Sequence, residues 1–150
     1  MTHSRPRINR LLAEHSLAPR RDLGQNFVAD PNTVRRIADL ARVGPDDRVV
    51  EIGAGLGSLT LALADTGADV TALEIDRGVV PVLREVVADR SNVKVIEGDA
   101  MRLDWNTTLD PSHRWVLVAN LPYNVATPLV CDLLDEVPQV HRILVMVQRE

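Results

Sequence analysis

Asn120-Leu121-Pro122-Tyr123 is a run whose residue types and order could do chemistry on a planar amine. In an amino group conjugated to an aromatic ring, such as adenine N6, the lone pair is delocalised and the nitrogen is a poor nucleophile. Two acceptors, the Asn120 side-chain oxygen and the Leu121 carbonyl, could bind both N–H hydrogens and draw the nitrogen toward tetrahedral geometry. Pro122 would fix the backbone so that the carbonyl faces the base. Tyr123 offers a ring on which an extruded base could stack, worth about 1–3 kcal/mol per base. Group transfer to such a nitrogen by direct displacement depends on positioning and needs no general base with a tuned pKa. The plain alternative is an Asn-Pro turn after a strand, with the tyrosine as packing.

Upstream, Glu51-Ile52-Gly53-Ala54-Gly55-Leu56-Gly57 follows a run fit for a strand and opens one fit for a helix. Glycines there let the backbone pass close to a ligand. The spacing is G-x-G-x-G, one residue shorter than the dinucleotide fingerprint. An acid directly precedes the loop. S-adenosylmethionine (SAM) carries no phosphate but does carry a sulfonium and an ammonium, and a carboxylate at Glu51 is favourable near both. Glu74 stands twenty-one residues after Gly53, where a doubly wound fold places the acid that accepts from ribose hydroxyls. That acid suits NAD and SAM equally. Asp76 reads as the cap of the next helix. Asp99, ending a third strand, could accept from an adenine amino group while the Ala100 N–H donates to a ring nitrogen. Alone, Asp99 reads equally well as a turn residue. Three ligand-facing groups at the ends of three successive strands are what a nucleoside pocket requires.

The elements that must position these residues follow from periodicity. Asp30-Pro31 starts a helix, with Val34, Ile37, Ala38 and Ala41 at helical spacing before Gly44-Pro45. Strands are expected over 48–52, 70–75, 93–97, 114–119 and 142–147, and helices over 56–66 and from Asp76. A further helix is expected to open at Thr127-Pro128, carrying Leu129, Val130, Leu133 and Leu134. The alternation predicts an α/β, doubly wound, Rossmann-like parallel sheet in the order 3-2-1-4-5. The apolar run over 143–147 suits a strand covered on both faces. The chain stops directly after it, the pattern expected of a truncation, and such an edge is expected to self-associate. A basic arm and helix over 1–42 are expected to cover the ligand site, ahead of a core over 43–150.

Composition narrows the class. Residues 1–42 hold eight Arg against four acids, and the remainder nine basic against seventeen acidic side chains. A nucleic-acid partner would meet the N-terminal end first, through phosphates, although a solvated tail fits the same charge. Cys131 is the one cysteine and is expected to be a buried thiol on a helix face. The four histidines, 3, 15, 113 and 141, lack ligand spacing, so no metal is expected. No apolar run reaches the ~18 residues of a membrane span.

Taken in order, these motifs resemble the ribosomal RNA adenine N6,N6-dimethyltransferase family. Leu23-Gly24-Gln25-Asn26-Phe27-Val28, the 51–60 loop, Leu73-Glu74-Ile75-Asp76, Gly98-Asp99-Ala100-Met101, Asn120-Leu-Pro-Tyr-Asn124 and Gln148-Arg149-Glu150 carry the likeness. The resemblance implies that Gln25, Asn26 and Val28 cover the methionine end of SAM and that Gly53 and Gly55 line it. It further implies that Glu74 takes the ribose, that Asp99 and Ala100 read the cofactor adenine, and that Asn120, Leu121, Pro122 and Tyr123 form the catalytic run at the target. The implied partner is the 16S rRNA of an immature small ribosomal subunit, in the cytoplasm, with no membrane and no metal. Family members continue beyond residue 150 with an RNA-gripping helical domain, so this chain alone is expected to be inactive. Rival readings are the antibiotic-resistance branch acting on large-subunit rRNA, a non-catalytic SAM-binding assembly or transcription factor, and an NAD-dependent oxidoreductase.

Overall fold

The computed structural model describes residues 30–148. Most of the basic segment over 1–42, including Gln25, Asn26 and Val28, lies outside the described residues. Ten elements alternate among the described residues: α1 (Pro31–Ala41), β1 (Arg48–Ile52), α2 (Ser58–Asp65), β2 (Asp69–Glu74), α3 (Val80–Val86), β3 (Val93–Glu97), α4 (Trp105–Thr108), β4 (Trp115–Pro122), α5 (Tyr123–Glu136) and β5 (Val140–Gln148). The five strands form one sheet in the order β3-β2-β1-β4-β5, every pairing parallel. This is the predicted topology, and it follows from right-handed crossovers on a chain that reverses direction once, between β3 and β4.

Alternation along each strand feeds two cores. On one face Val49, Val70, Val116 and Val118 pack against Val34, Ile37, Ala38 and Ala41 of α1 and Leu59, Ala62 and Leu63 of α2. On the other, Val50, Ile52, Leu117 and Ala119 pack under Leu129 and Leu133 of α5 and the Trp105 and Trp115 rings. Each fully buried leucine contributes about 2 kcal/mol of transfer free energy. α1 begins as its sequence predicts: the Asp30 side chain accepts from the Asn32 N–H at 2.9 Å, with Pro31 in the first turn.

The structure corrects several boundaries. The helix expected over 56–66 starts at Ser58, because Leu56 and Gly57 belong to the loop and Gly57 is left-handed. The helix expected from Asp76 starts at Val80. Asp76 makes the turn before it, its carboxylate accepting from Gly78 N–H at 2.7 Å and its carbonyl from Val79 and Val80. β4 runs to Pro122 and α5 opens at Tyr123, four residues before the expected start, with Pro128 inside the helix. α4, a single turn, has no counterpart in the periodicity reading.

Cys131 is exposed rather than buried. It sits two residues from Leu129, a rotation of about 200° on a helix, and so faces away from the Leu129–Leu133 seam. Leu134, on the same helix as the buried Leu129 and Leu133, is 71% exposed. β5 is half-buried along its apolar run and Val147 is exposed, so its faces are covered less completely than expected.

Candidate active site

The site lies at the carboxyl ends of the strands, where the sheet's order reverses between β1 and β4. The loop after β1 is stitched onto β2. Gly53 and Ala54 both donate their N–H groups to the Leu73 carbonyl at 3.1 Å, and Gly55 N–H donates to Glu74 Oε1 at 2.8 Å. Gly53 has φ +78, and a Cβ there would lie 3.2 Å from the Asn120 carbonyl oxygen. Glycine therefore lets β1's loop lie against the end of β4. Gly57, at φ +90, does the same against α3, where a Cβ would meet Leu83 and Val86 at 3.1 and 3.2 Å.

Glu51 is 2% exposed, and its Oε1 accepts a short hydrogen bond from the Thr60 hydroxyl of α2. Burial pushes its carboxyl up to about 8; the nearby Glu74 adds to the rise and the Thr60 hydrogen bond opposes it. Glu74 is buried as well, its Oε1 accepting from Gly55 and its Oε2 from Asp76 N–H at 3.0 Å. Burial raises its pKa, opposed by those N–H groups and assisted by the Asp76 charge. A carboxylate has about four lone-pair sites, so each Glu74 oxygen retains acceptor capacity for a ligand hydroxyl.

Asp99 follows β3, and Gly98 N–H ties the same loop to the Glu74 carbonyl at 3.0 Å. Asp99 Oδ1 accepts from Met101 N–H at 2.9 Å, its carbonyl accepts from Arg102 N–H, and Arg102 Nε stands 3.9 Å from Oδ2. Asp99 thus takes the turn role, just past the carboxyl end of β3. Trp105 Nε1 donates to the Ala100 carbonyl at 3.0 Å, fixing the loop from below.

The run at 120–123 is not a turn after a strand. Asn120, Leu121 and Pro122 are the last residues of β4, in register with Met146, Val147 and Gln148 of β5, and Tyr123 opens α5 directly. Asn120 is half-buried, and the Leu121 side chain is buried in the α5-side core. The side chains of Pro122 and Tyr123 lie outside the described ones. The structure therefore brings Gly53, Gly55, Glu74, Asp99, Ala100 and Asn120 to one end of the sheet.

Sequence reasoning missed Thr60, which anchors Glu51, because its position depends on helix phase rather than on a motif. Ile75 and Met101, 42% and 43% exposed, follow Glu74 and Asp99 by one and two residues. Among the described residues no cluster of His, Cys, Asp or Glu could hold a metal, and no helix is long and apolar enough to cross a membrane.

A parallel sheet in this order, with an acid-flanked glycine loop after β1 and acids at or just beyond the ends of the next two strands, is the Rossmann-like arrangement shared by nucleoside-binding proteins. The family model for ribosomal RNA adenine dimethylases matches residues 17–150, and the chain belongs to that family. It is 50% identical over 149 residues to the ribosomal RNA small subunit methyltransferase A of Corynebacterium jeikeium, covering 95% of this chain and 47% of that protein. The chain spans about half the length of the curated relatives it matches. Among solved structures, the 23S rRNA methyltransferase ErmE superposes with a TM-score of 0.71 at 32% identity, over 82% of this chain and 48% of that one. A dimethyladenosine transferase from Plasmodium falciparum gives 0.70 at 27% identity, over 83% and 44%.

Proposed function

We propose that this chain supplies the cofactor- and target-binding core of a SAM-dependent enzyme that dimethylates adenine N6 in small-subunit rRNA. The observation that carries the reading is the convergence of Gly53, Glu74, Asp99 and Asn120 at one sheet end. The residues fit SAM. Two buried acids with no ion-pair partner among the described residues favour a cation, and Gly53 lets the loop after β1 close against the end of β4 beside Asn120. When bound, SAM supplies an electrophilic methyl group on a cationic sulfur.

The chain's own residues bind and orient. Glu74 accepts from ribose hydroxyls through its remaining lone pairs, while Asp99 and the Ala100 N–H read the cofactor adenine between Ile75 and Met101. Gln25, Asn26 and Val28 cover the methionine end. At the target, the Asn120 oxygen and the Leu121 carbonyl hold the N6 hydrogens, Pro122 sets the backbone, and Tyr123 stacks on the base. The partner is 16S rRNA in an immature small subunit, in the cytoplasm, met first by the basic segment over 1–42.

The likeness to ErmE favours a second reading, methylation of large-subunit rRNA. Tritiated-methyl transfer from SAM by the full-length protein, offered immature small subunits and naked 23S rRNA side by side, separates the two. Incorporation into the small subunit at adenine supports the first reading, and incorporation into 23S rRNA alone overturns it.

A further inference from the structure

α4 is a single turn, yet one of its side chains grips the loop after β3. The Trp105 indole Nε1 donates to the Ala100 carbonyl at 3.0 Å, and Met101 N–H donates to Asp99 Oδ1 at 2.9 Å. That carbonyl and that N–H belong to one planar peptide unit and, being trans, point to opposite sides. The peptide is therefore held from both sides, by the indole on one and by the Asp99 carboxylate on the other. Rotating it would strain both bonds at once. Asp99 Oδ2 stands 3.9 Å from Arg102 Nε, beyond hydrogen-bond distance, on a side chain that is 35% exposed. Trp105 itself has little freedom. It is 8% exposed in the α5-side core, with Ala100 and Leu103 packed against that cluster. Its carbonyl accepts from Leu109 N–H at 3.0 Å, and the buried Gln139 side chain donates to the Leu109 carbonyl at 3.2 Å. The anchor thus reaches from the residue before β5 to the loop after β3.

We propose that Trp105 is a positioning residue for cofactor selectivity: its indole fixes the 100–101 peptide, which fixes the Asp99 carboxylate as an acceptor that takes a 6-aminopurine and turns away a 6-oxopurine. The proposal rests on the reading above in which Asp99 faces the cofactor adenine. A carboxylate can only accept, so it pairs with an exocyclic amino group and repels an exocyclic oxygen. That discrimination needs the carboxylate held in place, because a freely turning side chain can swing away from the oxygen. With Oδ1 occupied by Met101 N–H, Oδ2 is the oxygen left to face the base. Trp105 touches no ligand in this scheme and acts through Ala100, Met101 and Asp99.

The test is calorimetry on the full-length protein with S-adenosylhomocysteine (SAH), which carries the adenosine of SAM, and with S-inosylhomocysteine, its 6-oxopurine counterpart. The unchanged protein should prefer SAH by about 10²-fold, the worth of a hydrogen bond to a charged group. Trp105→Phe keeps an aromatic ring and deletes the N–H; it should cut that preference about tenfold, by weakening SAH more than the inosyl ligand. Benzothienylalanine at position 105 keeps the shape of the indole and removes only the donor, so it should do the same where phenylalanine packs poorly. Trp115→Phe is the control. Its indole N–H also donates to a backbone carbonyl, that of Asp110 at 3.1 Å, but at the amino end of β4, opposite the pocket. It should leave the preference unchanged. A preference that survives both changes at position 105 overturns the proposal, as does an equal fall in Trp115→Phe. Asp99→Asn, whose amide can donate to a 6-oxo group, should collapse or reverse the preference. If it does not, the reading of Asp99 at the adenine falls, and this proposal with it.

Discussion

Gly53→Ala tests whether the loop's backbone geometry, rather than its glycine content, makes the site. Residue 53 sits at φ +78, where an L side chain costs about 1–2 kcal/mol. The added Cβ would lie 3.2 Å from the Asn120 carbonyl oxygen, which as backbone of β4 cannot swing aside as a side chain could. Relief requires the loop to lift from Leu73, weakening the Gly53 and Ala54 hydrogen bonds. Against this, alanine stiffens the unfolded chain and returns about 0.4–1 kcal/mol. A net loss of about 1–2 kcal/mol is expected in urea unfolding, together with a fall in SAM affinity of about tenfold or more. Gly44→Ala is the internal control, since a Cβ there meets nothing within 4 Å and its φ is not left-handed; it should be neutral or slightly stabilising. If the two variants unfold alike and both bind SAM as the unchanged chain does, the reasoning about Gly53 is refuted.

Four further outcomes are expected. Glu51's raised pKa means that its contribution to stability is fully present below 4.5 and is lost as pH rises through about 8. Glu51→Gln should therefore gain on the unchanged chain by at most about 1.4 kcal/mol per pH unit across that window, and unfolding series showing a flat difference would sink the assignment. In the full-length protein, Asn120→Ala should slow single-turnover methylation about 10²-fold while leaving gel-shift affinity for RNA nearly unchanged, if its acceptor acts at the transition state as proposed; the reverse pattern would move Asn120 to RNA binding. Glu74→Ala should weaken SAM binding by about 1–3 kcal/mol through unpaired ribose hydroxyls, with unaltered calorimetric affinity counting against that role. β5 is an edge strand with an exposed Val147, so light scattering should show concentration-dependent association that Val147→Lys reduces; a monomer at about 100 µM in both would contradict it.

The sheet was legible because its strands are short apolar runs between turn residues, and crossover handedness then leaves a single order. Helix starts were less legible. Thr127-Pro128 reads as a start because proline suits a first turn, yet β4 passes straight into α5 at Tyr123 and the proline falls inside the helix. Cys131 reads as core from hydrophobicity alone, whereas helix phase turns it outward. The positions of Gly53, Glu74 and Asp99 at one end of the sheet were legible because each stands at a strand's end or just beyond it. The Thr60 bond to Glu51 was not, since it depends on how α2 is rolled against the sheet.

One feature of the site bears on its motion. The N–H groups of Gly53, Ala54 and Gly98 end on the last two carbonyls of β2, and those of Gly55 and Asp76 on the Glu74 side chain. The loops after β1, β2 and β3 thus share one anchor, although they lie far apart in sequence. Such shared anchoring couples local opening: displacing the end of β2 strips acceptors from all three loops at once. In native-state hydrogen exchange these five amides should behave as a single unit with a common opening free energy, and ligand contact at any one loop should slow exchange at all of them.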